Sequence, residues 1–244
     1  MSRGARNAVD AIGLLVLPAT LVTCALLRLQ ASALLTLLAA VVSLGIFFAG
    51  WERSNPGLRQ IMPTAVLVAA AVAGRIIFAA APNIQPVTAL CIMAGAVFGR
   101  RTGFMTGAMT GLVSGFFLGL GAWTPWQMYA WGVVGYASGV AFCKKGDKTT
   151  DVLSPSKRTA PTFAVMTFGF AASFAFGFIM NTWTLIGFAG PMNWGSAIAV
   201  YGAGFAFDLA HGISTVLFLA ILYAPLGKKL DRVASKYGLM GVDT

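Results

Sequence analysis

The sequence is poor in charged side chains, and above all in acidic ones. Only 10% of its 244 residues are charged and seven are acidic, whereas 58% are hydrophobic; a soluble domain carries roughly 25% charged residues. Together with a mean hydropathy of +0.80, this excludes an ordinary soluble domain. We predict a membrane protein with roughly six to eight transmembrane helices, because each span needs about 20 residues and a short turn.

Residue types that carry catalysis are also scarce. The chain has one histidine and three cysteines, and it contains no HExxH motif, no GxxxxGK[S/T] motif and no Ser/His/Asp set. An odd number of cysteines in apolar segments provides no disulfide framework or CxxC pair, so we interpret Cys24, Cys91 and Cys143 as packing residues. We therefore predict that the protein is not an enzyme, has no intrinsic cofactor or metal, and takes any energy of ATP from another chain.

Apolar runs separated by charged residues or by Pro, Gly and Asn predict an all-α polytopic transmembrane bundle. The fourth run is too short for an ordinary span, so we expect a short, tilted or re-entrant helix there. The eight runs lie at about 11–27, 32–51, 61–81, 86–99, 104–122, 126–143, 161–187 and 195–224.

The formal net charge of +10 indicates nucleic acid, anionic lipid or membrane topology, and the positions of the basic residues decide among these. Lys and Arg concentrate in cytoplasmic loops, and alternate loops of this chain hold nearly all of them. These are the N-terminus with Arg3 and Arg6, the turns with Arg53, Arg59, Arg100 and Arg101, the loop 144–159, and the tail 227–244. We predict a multi-pass plasma-membrane protein with cytoplasmic N and C termini, in contact with the lipid bilayer and without a nucleic-acid partner.

The first apolar run also has features of a cleaved signal peptide. Basic residues precede it and Ala31-Ser32-Ala33 follows it, which imitates a cleavage site. We favour a retained span because the run is long enough to approach one.

Small residues recur at four-residue intervals in two of the predicted helices. One set is Gly103, Gly107, Gly111, Gly115 and Gly119. The other is Ala65, Ala69 and Ala73. Such stripes let a neighbouring helix backbone approach closely in a membrane. We interpret the glycine stripe as packing within the chain, and the alanine ridge either as bundle packing or as a face for another membrane subunit.

The loops predicted to lie outside hold carboxamide and aromatic side chains instead of charge. Trp residues alone are typical of an interfacial belt, but a belt needs no Asn or Gln, and amides provide paired donors and acceptors for a ligand. We therefore predict a small-molecule site on this side. Its candidates are Asn83, Gln85, Trp123, Trp126, Gln127, Asn181, Trp183, Asn193 and Trp194.

Two charged residues lie within predicted spans, where an ionised side chain needs a partner. Arg75 and Asp208 either pair with each other or face a ligand cavity. His211 lies three residues after Asp208 and so on the same helix face. We include all three in the candidate ligand site; an Asp208–His211 couple could instead relay protons.

Residues 61–226 resemble the substrate-binding S component of energy-coupling factor (ECF) vitamin transporters. The resemblance rests on the alanine-ridged helix that precedes Arg75 and on four segments. They are PNIQPVTAL at 82–90, AGAVFGRRTGFMTGAMTGLVSGFFLG at 94–119, WTPWQMYAWGVVGYASG at 123–139 and FDLAHGIST at 207–215.

This resemblance implies a six-helix core at 61–226 that follows two extra transmembrane helices in 1–60 and precedes the basic tail. It further implies capture of a vitamin or vitamin precursor on the outer side and delivery inward with a T component and two ABC-type ATPases. The family's AxxxA ridge contacts the T component, and Ala65, Ala69 and Ala73 match it. Within the family, the resemblance favours members associated with cobalamin or corrinoid precursors, although a queuosine precursor, tryptophan or another aromatic vitamin also suits the polar turns.

Two other functions remain compatible with the residues. A stand-alone proton-coupled carrier would use Asp208 and His211, but the scarcity of other intramembrane carboxylates argues against it. A non-transporting membrane scaffold would use the glycine stripe as an oligomer interface, and the polar outer turns argue against that.

Overall fold

A computed structural model describes residues 3–27, 32–54, 56–143, 163–188 and 193–239 of the chain. These residues form helices and no strand. The helices are α1 Arg3–Leu27, α2 Ser32–Arg53, α3 Leu58–Ile77, α4 Val87–Phe98, α5 Arg100–Leu118, α6 Thr124–Phe142, α7 Phe163–Phe188 and α8 Trp194–Tyr237. The expected all-α membrane bundle is confirmed. The predicted cytoplasmic loop at 144–159 and Arg28 lie outside the described residues.

Five of these helices, α1, α2, α3, α7 and α8, are long and apolar enough to cross a membrane. Helix α4 has 12 residues and is therefore about 18 Å long, well short of the ~30 Å hydrocarbon core. All of its residues are buried, because α3, α5, α6, α7 and α8 pack around it. The short helix expected at 86–99 is thus the centre of the bundle, and protein rather than lipid surrounds it.

Helices α5 and α6 form the closest helix pair in the core. A Cβ atom on Gly103 would overlap the backbone of Gly135, and one on Gly107 would overlap the backbone carbonyl of Trp131. The two backbones can touch only because these positions lack side chains, as in other small-residue membrane interfaces. Gly103, Gly107 and Gly111 therefore pack within the chain, as predicted. Gly119 instead ends α5 with φ 104°, and nothing lies within 4 Å of its Cβ position.

Helices α1 and α2 form an N-terminal hairpin that packs on α5, α6 and α7. The ring of Phe47 stacks on that of Phe104 with 3.7 Å between centroids, and Tyr129 Oη donates to the carbonyl oxygen of Leu14 at 2.7 Å. Trp126 is fully buried in the same cluster. The hairpin is thus an integral layer of the bundle and not a loosely attached anchor.

A buried ion pair fixes the hairpin to the core at one end of the bundle. Arg101 Nη2 donates to Asp10 Oδ1 at 2.7 Å and its Nε donates to the same oxygen at 3.1 Å, while Arg100 Nη2 lies 3.4 Å from Asp10 Oδ2. Asp10 and Arg101 are both buried. The side chain of Asp10 is about 3% exposed. The sequence analysis did not identify Asp10 as a structural residue.

We call this end of the bundle the basic end, defined by Arg6, Arg53, Arg59, Arg100 and Arg101. The opposite end is the polar end, defined by Asn83, Gln127 and Asn193. The contacts between Asp10 and Arg101, and between Arg59 and the Tyr237 ring at 5.8 Å, bring the start of α1, the start of α3, the start of α5 and the end of α8 to the basic end.

Helix α8 is longer than the predicted span at 195–224. Its 44 residues correspond to about 66 Å. It runs without a break past Pro225 and residue 226, where we expected the basic tail to begin, and ends at Gly238 with φ 65°. The helix continues because exposed Lys and Arg are good helix formers. A change from apolar to basic residues therefore ends a membrane span without ending the helix.

Candidate ligand-binding site

A cavity of about 260 Å³ opens at the polar end between α6, α7, α8 and the turn that joins α3 to α4. Five residues selected from the sequence line it: Asn83, Gln127, Asn181, Asp208 and His211. The other lining residues are Phe176, Gly177, Met180, Gly204 and Phe207. Residues far apart in the sequence thus converge on one polar and partly aromatic hollow.

A carboxamide–carboxylate pair forms one wall of this cavity. Asn181 Nδ2 on α7 donates to Asp208 Oδ2 on α8 at 2.9 Å. This bond satisfies one carboxylate oxygen and turns the amide oxygen of Asn181 into a fixed acceptor, because both side chains are held by the same contact. The pair leaves acceptor capacity for a ligand that brings N–H or O–H donors.

Two glycines make room for that pair. A Cβ atom on Gly177 would overlap the carboxylate of Asp208, and one on Gly204 would lie 2.6 Å from Asn181 Nδ2. Each glycine lies four residues before a polar partner on its own helix, Gly177 before Asn181 and Gly204 before Asp208, and so on the same helix face. The α7–α8 interface is therefore shaped to hold this polar pair at depth.

The floor of the cavity is a polar–aromatic cluster. The hydroxyl of Thr88 on α4 accepts a hydrogen bond from Trp131 Nε1 at 3.2 Å and lies 2.7 Å from His211 Nε2. The Phe176 ring stacks on Trp131 at 4.8 Å between centroids and meets the His211 ring edge-on at 5.0 Å. Since each ring is fixed by two neighbours, the floor is rigid before any ligand arrives.

Arg75 supports this floor and does not pair with Asp208. Its guanidinium lies over the Trp131 ring at 4.8 Å from the centroid and its Nη1 donates to Ser114 Oγ. Of the two arrangements proposed from the sequence, the Arg75–Asp208 ion pair is wrong. Sequence gives the depth of a residue in a helix but not its direction around the bundle, and α3 directs Arg75 towards α5 and α6.

Asp208 and His211 share the cavity but bind different partners. Asp208 accepts from Asn181, whereas His211 contacts Thr88 and Phe176. No hydrogen bond joins the two among the described side chains. The geometry thus does not form the direct relay that a proton-coupled carrier would use.

The rim of the cavity is held by the turn between α3 and α4. Asn83 adopts φ 60°, a conformation that asparagine tolerates better than most residues, and its Nδ2 donates to the carbonyl oxygen of Phe207 at 3.2 Å. The backbone N–H of Gln85 donates to Ser214 Oγ at 3.0 Å. Gln85 thus contributes to the site by fixing the turn against α8, and its side chain is not among the lining groups.

The remaining candidates do not line the cavity. Trp126 is 0% exposed and packs near Trp183 at 5.8 Å between ring centroids, in the layer that joins the core to the hairpin. Asn193 caps α8, since its Oδ1 accepts from the N–H of Ser196 at 2.9 Å. Trp123 and Trp194 are exposed, as expected for an interfacial belt.

Adjacent residues on a helix explain why Trp126 and Gln127 have different surroundings. They are about 100° apart around α6, so Gln127 faces the cavity while Trp126 faces the hairpin. Sequence reasoning also missed Phe176, Met180 and Phe207, which are apolar residues in apolar helices and carry no distinguishing signal. Gly177 and Gly204 did carry a sequence signal, because each is a small residue four positions before a polar residue, Asn181 or Asp208.

The side chains of the cavity favour binding over covalent chemistry. In the described part of the chain, no group of three or more His, Cys, Asp or Glu is placed to hold a metal ion. The lining offers three carboxamides, one carboxylate, one imidazole and two phenyl rings. Such a set orients a polar heterocycle through hydrogen bonds and ring contacts.

The family model described as "ECF-type riboflavin transporter, S component" matches residues 57–232, which includes α3 to α7 and most of α8 and begins after the N-terminal hairpin. No curated protein matches and no solved structure matches.

Proposed function

Because the chain belongs to the family of ECF-type riboflavin transporter S components, and is therefore a substrate-binding membrane subunit of an ECF transporter, we propose that it captures its vitamin in the cavity at the polar end. The observation that carries this proposal is the convergence of Asn83, Gln127, Asn181, Asp208 and His211 on one hollow. The family is one of transporter subunits and not of enzymes. We therefore propose that the chain binds and releases its ligand without catalysing a reaction.

The charges of the cavity select an uncharged ligand that is rich in hydrogen-bond donors. Its lining includes the carboxylate of Asp208 and no Lys or Arg, so a phosphate ester would face an uncompensated negative charge. Riboflavin offers a planar ring system for Phe176 and hydroxyl and imide donors for Asn181 and Asp208. We propose riboflavin or a closely related flavin without phosphate as the ligand.

A corrinoid, which the family resemblance favoured, stays a prediction. The ligand panel described below tests it together with riboflavin. The volume of about 260 Å³ lies just below the range of ligand pockets, which is roughly 300–1,000 Å³. A flavin needs a smaller expansion of this cavity than a corrinoid with its peripheral amide groups. Size therefore supports the flavin.

The ridge on α3 is free to meet the T component. Ala65, Ala69 and Ala73 are exposed, while Leu67 and Ala71 on the opposite face are buried. The N-terminal hairpin packs on α5, α6 and α7 and leaves the ridge uncovered. We propose that this ridge docks to the T component and that two ABC-type ATPases supply the energy of ATP, so that the chain itself needs no cofactor.

The orientation in the plasma membrane follows from the distribution of charge. The basic end holds Arg6, Arg53, Arg59 and Arg101, and short loops rich in Arg and Lys stay in the cytoplasm. The start of α1 and the end of α8 lie at this end. We propose that both termini are cytoplasmic and that the cavity opens to the outside, where a vitamin is captured.

Ligand binding is tested with the detergent-purified chain and a panel of riboflavin, riboflavin phosphate, cobalamin, cobinamide, biotin and tryptophan. A ligand of the native state stabilises it by about 2.7 kcal/mol at a hundredfold excess over its Kd, so thermal shift and native mass spectrometry should both identify riboflavin. Stabilisation by cobalamin and not by riboflavin would overturn the flavin assignment. A folded sample that binds no member of the panel would overturn capture of a vitamin of these classes.

Docking is tested separately from ligand binding with Ala69→Leu. The matched control is Ala175→Leu, an exposed alanine on α7 far from the ridge. In vesicles with T component and ATPases, we expect Ala69→Leu to reduce ATP-dependent uptake at least about tenfold while the Kd for riboflavin stays unchanged, because a larger side chain prevents close helix approach. Equal uptake by both variants would contradict docking through this ridge.

A further inference from the structure

A second and larger cavity lies at the basic end, on the far side of the bundle from the ligand cavity. It measures about 930 Å³ and opens between the N-terminal hairpin and the starts of α3 and α5. Its lining combines one apolar face of α2 with Arg6, Arg53 and Arg101, and Gln60 of α3 borders it. We refer to this cavity as the basic groove. The vitamin-binding proposal does not use it.

One wall of the basic groove is a continuous apolar stripe on α2. Val42, Gly45, Ile46 and Ala49 follow the three- and four-residue spacing of one helix face, and the stripe continues to Arg53. From Val42 to Arg53 it rises about 16 Å at 1.5 Å per residue, which is close to half of the ~30 Å hydrocarbon core. A Cβ atom on Gly45 would meet nothing within 4 Å, so the wall is open at this position.

The other feature of the groove is unbalanced positive charge at one end. Arg101 is paired with Asp10, but neither Arg6 nor Arg53 forms an ion pair with a described residue, and the lining includes no carboxylate. Arg53 is exposed and Arg6 is partly exposed. Guanidinium groups in such positions bind phosphate oxygens in paired hydrogen bonds.

We propose that the basic groove binds one anionic phospholipid of the leaflet at the basic end. Its phosphate lies between Arg6 and Arg53, and one acyl chain lies along the α2 stripe. The combination selects this occupant: a soluble phosphate leaves the leaflet-long apolar wall uncovered, a neutral lipid leaves the arginines uncompensated, and a partner helix would bury the two arginines at a high desolvation cost. Basic pockets between transmembrane helices at the cytoplasmic side bind acidic headgroups in this way.

The lipid bridges the hairpin and the core. Arg6 is on α1, Arg53 is at the end of α2, and Gln60 of α3 borders the same groove. A bound lipid therefore contacts the N-terminal hairpin and the first helix of the six-helix core at once. It supplements the Asp10–Arg101 pair, whose arginine lines the same groove.

The charge is tested on the delipidated full chain with phosphatidylglycerol and phosphatidylcholine of equal chain length, by native mass spectrometry in detergent. The variant is R6Q/R53Q, and R59Q/R232Q is the control, since it removes the same charge from exposed sites outside the groove. Each arginine near a headgroup contributes about fivefold in affinity. We expect phosphatidylglycerol to bind R6Q/R53Q about 25-fold more weakly than the parent, with the control unchanged. Equal losses in both variants, or no preference of the parent for phosphatidylglycerol, would overturn the proposal.

The acyl chain is tested with Gly45→Leu, which fills the open wall, and with Gly202→Leu as the control at an equally open position on α8. We expect only Gly45→Leu to weaken phosphatidylglycerol binding while both arginines remain. Inorganic phosphate that competes with phosphatidylglycerol at millimolar concentration, combined with no effect of Gly45→Leu, would show a small-anion site and overturn the lipid assignment. If Gly45→Leu fails to fold, the arginine variants still test whether the arginines bind the headgroup. Phosphate competition then distinguishes a lipid from a free anion.

Discussion

Glycine has opposite roles in the two antiparallel helix pairs α5–α6 and α7–α8. In α5–α6, Gly103 and Gly135 face backbone, and a Cβ atom on either would overlap the other helix. In α7–α8, Gly177 and Gly204 face the side chains of Asp208 and Asn181. In the first interface glycine thus allows the two backbones to touch, and in the second it makes room for a polar pair of side chains.

The difference teaches that a small-residue pattern predicts close approach but not its purpose. A regular four-residue stripe on both helices, as in α5–α6, lets backbones meet over several turns and makes a rigid unit. Isolated glycines opposite a carboxylate and a carboxamide make a recess instead. We expect substitutions in the first pair to change stability and substitutions in the second pair to change ligand affinity.

The largest effect is expected for Gly103→Ala in the rigid pair. The new methyl group would overlap the carbonyl of Gly135, and a helix backbone cannot move aside as a side chain can. Overpacking typically lowers the free energy of unfolding by about 1–3 kcal/mol, and we expect the upper end of this range where the neighbour is backbone. The midpoint of unfolding in mixed detergent micelles measures it, and a midpoint equal to that of the parent would contradict the close contact.

The next effect is expected for Gly177→Ala in the polar pair. Its methyl group would displace the Asp208 carboxylate from Asn181. The displaced carboxylate would no longer be placed to accept from the donors of the ligand. Because a hydrogen bond to a charged group contributes about 1.5–3 kcal/mol, the Kd for riboflavin should rise roughly ten- to a hundredfold. The unfolding midpoint should change much less than in Gly103→Ala.

A double-mutant cycle shows whether Gly177 acts through Asp208. In an Asp208→Ala background the methyl group of Gly177→Ala has no carboxylate to displace, so its effect on Kd should vanish. Residues in contact show such non-additivity and independent residues do not. Additive effects on Kd would mean that Gly177 influences the ligand by another route.

A smaller change is expected for Gly204→Ala. Its Cβ atom would lie 2.6 Å from Asn181 Nδ2, at the far end of a side chain that can rotate. We expect the Kd for riboflavin to rise by roughly threefold to tenfold, less than for Gly177→Ala, because one hydrogen bond of about 1 kcal/mol is strained. Titration calorimetry on the two variants compares them directly, and the reverse order would contradict the geometry.

The smallest effect is expected for Gly202→Ala, two residues before Gly204 on α8. Nothing lies within 4 Å of its Cβ position, so the methyl group meets no neighbour. Alanine should stabilise the helix by roughly 0.5–1 kcal/mol, which a slightly higher unfolding midpoint would show, with an unchanged Kd. A loss of affinity here would mean that glycine itself, and not what lies opposite it, matters in α8.

Much of the fold could be predicted from the sequence because apolar runs and membrane thickness fix it. Each of the eight runs overlaps a helix in the described part of the chain, and the short run at 86–99 is the buried α4. The length of α8 could not be predicted, because basic residues stop a span and not a helix. The Asp10–Arg101 pair could not be predicted from the sequence either, because the two residues are 91 positions apart.

For the site, the sequence indicated the residue types and the end of the bundle but not the direction of each side chain. Asn83, Gln127, Asn181, Asp208 and His211 meet in the cavity, because the turn between α3 and α4 and the facing sides of α6, α7 and α8 lie together at the polar end. Trp126 does not, since it faces the hairpin. A direction around a helix depends on which neighbours surround it, and one sequence does not carry that information.

The most direct test of the account compares two asparagines by their effect on riboflavin affinity. Asn181 lines the cavity and binds Asp208, whereas Asn193 caps α8 outside the cavity. Titration calorimetry of Asn181→Ala and Asn193→Ala with riboflavin should show a Kd raised roughly tenfold for the first. The ligand loses the amide acceptor of Asn181, a hydrogen bond of about 1 kcal/mol, and Asp208 loses the partner that orients it. The second should match the parent. An unchanged Kd for Asn181→Ala, or an equal loss in both variants, would contradict the placement of the ligand in this cavity.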